Sequence, residues 1–333
     1  MTADRAGQAE PEDASPSPGT PSPSKNTGPG KTTVPPAEIR AIPVRHYGRY
    51  LAALVVLALV VLFVNALASA DLQWSALGEF LFDDQVLEGA KNTLLVSILA
   101  MAMGLVLGIV LAVMRMSKNP VTSSVAWGYI WFFRGTPVYV QLLLWFNLGL
   151  IFPVLNLGPI YKNEMTDVMT PFMAALLGLG LNEAAYMAEI CRAGIQSVDE
   201  GQTEASQALG MTSAQNMRRI VLPQAMKVIV PPTGNEFINL LKTSSLCAVV
   251  MFEELLRKAQ NIGNTSGSVV ELLLVATVWY LAITTVFSIG QYYLERRYAR
   301  GTSRQLPDTP WQKVRRNLFT WHDRRPAREG EHA

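Results

Sequence analysis

Stretches without a single charged residue limit this 333-residue chain to few possible folds. Residues 51–70 contain no charged side chain, and as a helix they are long enough to cross a hydrocarbon layer of about 30 Å. Similar runs with only isolated polar residues cover 94–114, 130–152, 171–190 and 271–294. Because 50% of the residues are hydrophobic and only 16% are charged, a set of soluble domains is excluded. The sequence therefore predicts an all-α polytopic membrane protein.

Basic residues next to the apolar runs predict the topology. Three groups flank the first, second and last runs: Arg40, Arg45 and Arg49; Arg115 and Lys118; Arg296, Arg297, Arg300 and Arg304. Since basic loop residues collect on the cytoplasmic side, all three groups are expected there. This threading gives an external segment with Trp74 and Phe80, an external loop over 153–169, and a weaker fifth span over 228–251. We therefore expect six transmembrane helices with both termini in the cytoplasm.

The two ends of the chain differ in composition from the apolar runs. Residues 1–45 are rich in Pro, Ser, Gly and Thr, which predicts a disordered cytoplasmic tail. Residues 46–85 are assigned to an N-terminal transmembrane helix with its external segment, and residues 86–298 to the main transmembrane domain. Residues 299–333 form a basic cytoplasmic tail, whose arginines are expected to anchor the chain and to contact anionic membrane lipid.

One polar stretch, residues 199–223, lies between runs apolar enough for a bilayer. Asp199 with Gln202, and Thr212 with Gln215, have the spacing of a helix N-cap and its reciprocal partner, and Gly210 falls where the first helix should end. We expect two short helices joined at a glycine elbow, the second amphipathic over about two turns. Such helices are marginal alone in water, so this stretch is expected to dock against another surface. The predicted topology places it in the cytoplasm.

Polar side chains at membrane depth are costly and usually functional. The candidates for a solute path are Asn147, Asn182, Glu183, Asn235, Glu236, Asn239 and Lys242. Three residues of the fifth span are expected to unwind it locally, namely Pro231, Pro232 and Gly234. Glu183 could pair with a solute ammonium group, and the alternative is an internal salt bridge with Lys242. Arg134 and Glu189 are expected to be structural partners.

The sequence assembles no catalytic or metal site. The segment 30–32 looks like the end of a phosphate-binding loop, but Lys25 stands where that motif needs a glycine. Cys191 and Cys247 have no partner nearby in sequence and are expected to pack as small residues. The basic residues follow the topology, so no nucleic-acid partner is expected. We expect no catalytic residue, no metal and no cofactor bound by this chain.

The order of residues in the polar stretch resembles the EAA loop of ATP-binding-cassette importer permeases. Glu204-Ala205-Ser206 is followed by Gly210 and Ile220 and closed by Leu222-Pro223, with Ser206 in place of the second alanine. Further motifs are similar to the polar amino acid branch, the histidine and glutamine permease type. These motifs are EGAKNTL at 88–94, FRGTP at 133–137, AYMAEICRAG at 185–194, PPTGNE at 231–236 and KTSSL at 242–246. The resemblance covers roughly residues 86–298.

This resemblance implies a type I importer permease of the bacterial inner membrane, with one peripheral helix followed by a five-helix core. In that family the EAA loop forms coupling helices that sit in a groove of a separate cytoplasmic ATPase. Closure of the ATPase dimer swings the membrane helices between inward- and outward-facing states. The coupling residues carried over are Glu204, Ala205, Ser206, Gly210, Arg218, Arg219, Ile220, Leu222 and Pro223. Arg218 and Arg219 could meet acidic partner residues, or form a basic face toward solvent or lipid.

The resemblance also implies the partners and the solute class. Expected are two ATPase subunits that bind the ATP, a second permease subunit that is identical or homologous, and an extracellular amino acid-binding protein. The solute would be a polar amino acid that the sequence does not specify. The alternative function is that of an ion-coupled secondary transporter, which predicts inverted internal repeats and buried acidic residues for the ion. No repeat is visible in the sequence, and the cytoplasmic docking loop would have no role in such a transporter.

Overall fold

The computed structural model describes residues 47–69, 72–156, 158–159 and 161–298. The predicted tails, 1–45 and 299–333, lie outside the described residues. The chain divides into two units, residues 1–70 and 71–333. The described part of the first unit is α1 (Tyr47–Ala68), whose sequence is almost entirely apolar.

The second unit is mostly helical. Its first elements are α2 (Trp74–Phe80), α3 (Asp84–Arg115), α4 (Pro120–Gly135), α5 (Val138–Phe146) and α6 (Leu148–Ile151). An antiparallel hairpin follows, in which β1 (Val154–Asn156) pairs with β2 (Lys162–Glu164), with Leu155 opposite Asn163. The next elements are α7 (Met165–Val168), α8 (Pro171–Gln196), α9 (Glu200–Ala208), α10 (Ser213–Asn216) and a π-helical turn (Met217–Val221). The last are α11 (Leu222–Thr243), a 3₁₀ turn (Ser244–Val250), α12 (Leu255–Ser266) and α13 (Val269–Tyr298).

The pairing of α3 with α8 is the most extensive helix–helix contact of the second unit. Glycines on α3 allow the close approach. A Cβ atom at Gly104 would lie 2.7 Å from Cγ of Glu183, and one at Gly108 would lie 2.5 Å from Cβ of Met187. The two helices run in the same direction, because each step of four residues along α3 meets a step of about four along α8. This pairing fixes the position of Glu183 along the axis of α3, beside Gly104.

The third apolar run, residues 130–152, is divided in the structure, so its prediction as a single span is wrong. Between α4 and α5, Thr136 is extended (φ −113°, ψ 144°). The residue before a proline is driven from the helical region, and Pro137 itself has no N–H to donate. Gln141 is only 2% exposed, and its Nε2 donates to the carbonyl oxygens of Phe133 (3.0 Å) and Thr136 (3.1 Å). A buried side chain thus replaces backbone bonds at the break.

Helix α11 stays helical through Pro231 and Pro232, so the predicted local unwinding is wrong. A proline removes one backbone donor, but its fixed φ is compatible with a helix. Nε2 of Gln291 donates to the carbonyl oxygen of Pro231 (2.7 Å), which ties this stretch to α13. The α-helix gives way to the 3₁₀ turn Ser244–Val250, after which Met251 has a positive φ of 60°.

Helix α12 was not predicted from the apolar runs, and a buried carboxylate caps its start. Glu254 is 0% exposed and accepts hydrogen bonds from the backbone N–H groups of Leu256 (2.9 Å) and Arg257 (2.8 Å). The hydroxyl group of Tyr280 on α13 also donates to this carboxylate. Orphan donors at a helix start favour negative charge, so Glu254 fixes where α12 begins against α13.

Three charged side chains form an ion triad near the start of α12. Nζ of Lys258 lies 2.8 Å from Glu253 and 2.9 Å from Glu88. The hydrogen bond with Glu253 raises the pKa of Lys258 above its ordinary value. The ammonium group therefore stays charged between two carboxylates that would otherwise repel each other.

Hydrogen bonds at this end join residues that are far apart in sequence. The N–H group of Leu255 donates to Oγ1 of Thr93 (3.2 Å) across 162 positions. Nε1 of Trp279 donates to the carbonyl oxygen of Leu81 (2.7 Å) across 198 positions. The first and last helices of the second unit are thus tied directly together.

Two of the described helices, α3 and α13, are long and apolar enough to cross a membrane by length and composition. Residues Tyr50–Ala66 form a shorter apolar helix within α1. The remaining predicted spans fall in the divided pair α4–α5, in α8 and in α11. The count of six spans therefore stays a prediction.

Candidate functional site: a polar cavity and a coupling segment

A cavity of about 630 Å³, here called the polar cavity, opens between α5, α8 and α11. Its polar lining consists of Asn182, Glu183 and Tyr186 from α8, Glu236, Asn239, Lys242 and Thr243 from α11, and Ser245 from the 3₁₀ turn. Residues three or four apart share one helix face, so each helix presents one polar stripe to the cavity. Of the seven predicted solute-path residues, five lie in this lining: Asn182, Glu183, Glu236, Asn239 and Lys242.

The carboxyl group of Glu183 is the least satisfied polar group of this lining. The residue is 5% exposed, and its Oε1 is buried without a hydrogen-bond partner among the described residues. The predicted alternative, a salt bridge between Glu183 and Lys242, is not among the ion pairs of the described residues. A buried charge without a partner is costly, so Glu183 is suited to receive a cation that the protein itself does not supply.

The remaining candidates take other roles in the structure. Nδ2 of Asn182 donates to the carbonyl oxygen of Phe133 (2.7 Å), so this residue of the lining also ties α8 to the break after α4. Asn147 is exposed and lies outside the polar cavity, where its backbone N–H and its Nδ2 (2.8 Å) both donate to the carbonyl oxygen of Leu143 at the end of α5. Asn235 also lies outside the lining, and its Nδ2 donates to Glu295 (3.3 Å).

Tyr186 was not predicted, although it lies one turn beyond Glu183 on the same face of α8. That spacing is the signal that would have identified it. Tyr186 also borders a second cavity of about 550 Å³ toward the end of α8, and Cζ of Arg134 lies 5.1 Å from the centroid of its ring. In the same cavity Nη2 of Arg192 lies 2.6 Å from Oε2 of Glu189. Glu189 is thus paired with Arg192 and Arg134 lies against the ring of Tyr186, and the structural role of the two residues stays a prediction.

The coupling segment, residues 199–223, begins with α9 and turns at Gly210. Asp199 is the N-cap of α9, but its side chain accepts from the N–H of Gly201 (2.8 Å) and not, as predicted, from that of Gln202, which donates to the carbonyl oxygen of Asp199 (3.1 Å). Gly210 has a positive φ of 74°, and its N–H donates to the carbonyl oxygen of Gln207 (2.9 Å). The left-handed conformation ends α9 where the sequence predicted. Thr212 and Gln215 then form both bonds of a capping box at the start of α10 (2.9 and 3.3 Å), as their spacing predicted.

The two halves of the coupling segment pack against each other through small polar groups. Ser206 is 3% exposed, and its Oγ donates to the carbonyl oxygen of Thr203 (2.8 Å). Nδ2 of the buried Asn216 donates to Oγ1 of Thr203 (3.3 Å). The second half is not a separate helix, because α10 continues through the π-helical turn directly into α11. The second half of the coupling segment and α11 therefore form one continuous helical element.

The outer face of the coupling segment is exposed. Glu204, Ala205, Arg218 and Arg219 lie on it. Leu209, which the sequence analysis did not single out, is 82% exposed beside the elbow. An apolar side chain on a tightly turned elbow is suited to fill a pocket of a partner.

Comparisons with known proteins agree with these features. Residues 104–300 match the family described as "Binding-protein-dependent transport system inner membrane component". The arginine transport system permease protein ArgU of Corynebacterium glutamicum is 48% identical over 283 residues, which cover 84% of this chain and 90% of that protein. The glutamate/aspartate import permease protein GltK of Escherichia coli is 37% identical over 232 residues, covering 69% and 99%.

A solved structure, described as an amino acid ABC transporter with histidines, is similar in fold. It is 38% identical, has a TM-score of 0.57, and covers 64% of this chain and 94% of that chain. These comparisons give no support to an ion-coupled transporter, and in the homologous systems ATP is hydrolysed on separate chains. The chain belongs to the binding-protein-dependent transport system inner membrane components, the permease subunits of ATP-binding-cassette importers.

Proposed function

We propose that this permease imports an amino acid whose side chain is positively charged. The observation that carries the proposal is the buried, unpartnered carboxyl group of Glu183 in a cavity that also holds Glu236 and Lys242. Two carboxylates against one ammonium group complement a solute with two cationic groups and one carboxylate. Lys242 would receive the solute carboxylate, and the two glutamates would receive its α-ammonium group and its side-chain cation.

The relatives support this solute class. ArgU, with 48% identity, is named for arginine transport, whereas GltK, named for glutamate and aspartate, is 37% identical. An acidic amino acid would bring a second carboxylate toward Glu183 and Glu236, which like-charge repulsion disfavours. Neutral polar amino acids would leave either the buried carboxylate of Glu183 or the partly exposed one of Glu236 without a partner.

Uptake into proteoliposomes containing the whole importer tests the solute class. We expect unlabelled arginine and lysine to compete with labelled arginine at least about tenfold better than glutamine or glutamate, since a charged hydrogen bond contributes roughly 1.5–3 kcal/mol. Glu183→Gln should raise the KM for arginine by a similar factor. Asn147→Ala, on an exposed residue outside the polar cavity, is the matched control. Equal competition by glutamine, together with an unchanged KM in Glu183→Gln, would reject the proposal.

The coupling segment is proposed to dock in a groove of the partner ATPase, with Leu209 as its apolar anchor. Glu204, Ala205, Ser206 and Gly210 shape the first half, and Arg218, Arg219, Ile220, Leu222 and Pro223 connect it to α11. This arrangement is supported by the exposed outer face and by the helical continuity into α11. The exposure of Arg218 and Arg219 is consistent with acidic groups on the ATPase.

Co-purification with the ATPase tests this docking. Gly210→Asp and Leu209→Asp should leave the permease in the membrane but abolish both uptake and recovery of the ATPase. Gln207→Asp places the same charge on an exposed residue of α9 and should retain recovery. Normal uptake in Gly210→Asp would remove the coupling role from this segment.

The complete importer is proposed to contain two permease subunits, identical or homologous, with two ATPase subunits and an extracellular binding protein. Each permease is proposed to span the membrane six times with both termini in the cytoplasm, as the distribution of arginines favours. The mass of the purified complex by light scattering checks the stoichiometry. Accessibility of single cysteines placed at Asn163 and Gln207 checks the sidedness, since these positions are expected on opposite faces of the membrane.

A further inference from the structure

Helix α11 is weakened in its middle and supported from outside at the same level. Pro231 and Pro232 lie within the continuous helix, so two successive backbone N–H donors are missing there. A helix that lacks these bonds bends more easily at this level than elsewhere. The coupling segment joins α11 on one side of this point, and Glu236 and Lys242 of the polar cavity lie on the other side.

The support comes from Gln291 on α13. This residue is 8% exposed, and its Nε2 donates to the carbonyl oxygen of Pro231 (2.7 Å) and to Oε1 of Glu295 (3.0 Å). The same oxygen of Glu295 accepts from Nδ2 of Asn235 (3.3 Å). A polar bridge of three hydrogen-bonding side chains therefore joins α11 to α13 at this level.

The approach of the two helices at this bridge depends on Gly234. A Cβ atom there would lie 1.7 Å from Oε1 and 2.5 Å from Cδ of Gln291. The glycine thus leaves room for the amide group of Gln291 to lie against α11. The bridge and the close contact are both made by the amide group of Gln291, and both occur within one turn of the two prolines.

We propose that this junction of Pro231, Gly234, Gln291 and Glu295, here called the α11–α13 clamp, is the fixed point about which α11 turns during transport. The clamp lies nine residues from the start of α11 and eight residues before Lys242, so the two arms are each about 12–14 Å long at 1.5 Å per residue. A displacement of the coupling segment then moves the α11 wall of the polar cavity by a similar distance. Gln291 is a positioning residue, because it acts through α11 and does not line the polar cavity.

This inference rests on the proposed docking of the coupling segment on the ATPase. The bonds of the clamp hold the weakened level of α11 straight against α13, and without them the bend at the prolines would absorb the displacement before it reached Glu236 and Lys242. Loss of the clamp should therefore separate ATP hydrolysis from solute movement, whereas loss of a merely structural bond would reduce both together.

The test is the number of ATP molecules hydrolysed per solute imported, measured in proteoliposomes that contain the complete importer. Gln291→Met keeps the length of the side chain and removes its donor group. We expect ATP hydrolysis to stay within about twofold of wild type while uptake falls about tenfold, the size that the loss of two hydrogen bonds allows. Gly234→Ala, which displaces Gln291, should also raise the number of ATP molecules hydrolysed per solute imported.

Thr284→Val is the matched control, because Oγ1 of Thr284 donates only to carbonyl oxygens within α13. In this variant the number of ATP molecules hydrolysed per solute imported should equal that of wild type. If Gln291→Met does not accumulate in the membrane, Glu295→Leu removes the acceptor shared with Asn235 and is measured in the same way. A wild-type ratio in whichever of these two variants accumulates overturns the clamp. Failure of the coupling segment itself is recognised separately, by normal uptake in Gly210→Asp.

Discussion

Gly108 on α3 offers a stringent test of the helix packing that holds the polar cavity. In Gly108→Ala the new Cβ would lie 2.5 Å from Cβ of Met187, and 3.1 Å from both the carbonyl oxygen of Ala184 and the nitrogen of Ala188. Two of these atoms belong to the backbone of α8, so no rotamer change relieves the contact. Overpacking of this kind costs about 1–3 kcal/mol, and the better helix propensity of alanine returns about 0.5–1 kcal/mol. We expect a net destabilisation of about 1–2 kcal/mol.

Denaturant titration of the purified permease in detergent micelles, followed by the loss of helical circular dichroism, measures this difference. Gly128→Ala on α4 is the matched control, because nothing lies within 4 Å of a Cβ atom at that position. The control should be neutral or slightly more stable than wild type, by up to about 1 kcal/mol. Identical midpoints for the two variants would refute the close packing of α3 on α8.

Three further substitutions have defined outcomes. Gly104→Ala should raise the KM for solute uptake about threefold or more with ATPase docking intact, because its Cβ would displace Glu183 by overpacking; an unchanged KM would contradict the placement of that carboxyl group. Thr212→Ala should cost about 1 kcal/mol by removing half of the capping box, which faster hydrogen exchange of the α10 amides would reveal. Gln141→Leu should cost about 2 kcal/mol in the same denaturant titration, because the carbonyl oxygen of Thr136 loses this donor, whereas that of Phe133 keeps the bond from Asn182.

The coupling segment was predictable because its structure is decided locally. Gly210 takes a left-handed conformation that few other residues adopt, and Thr212 and Gln215 bond to each other within one turn. Such signals depend on neighbours in sequence, so they are visible without the fold. Leu209 escaped notice because exposure depends on which face the packed halves leave outward.

The two proline sites show why the membrane helices were harder to predict. The sequence suggested a break at Pro231 and a continuous helix through Pro137, and the structure has the reverse. At Pro137 the freed carbonyl groups are satisfied by Gln141, four residues on, whereas at Pro231 the support comes from Gln291, 60 positions away. Which arrangement wins is decided by tertiary partners that the local pattern does not contain.

The polar cavity was partly predictable for a related reason. Polar residues at membrane depth are few and usually functional. This rule identified several residues that line the polar cavity, including Glu183 and Glu236. The rule does not show which face of each helix lines the cavity. Asn147 and Asn235 lie outside the cavity and make other hydrogen bonds. Tyr186 was missed because an aromatic residue in an apolar helix is usually packing material.

The bonds from Leu255 to Thr93 and from Trp279 to Leu81 also order events during synthesis. Both join the start of the second unit to segments made more than 160 residues later. Until α12 and α13 leave the ribosome, Thr93 and the carbonyl group of Leu81 lack these partners, and the first helices are held mainly by α3 against α8. A nascent chain stopped before α12 should therefore be a substrate for membrane proteases, and completion of α13 is the step that closes the bundle.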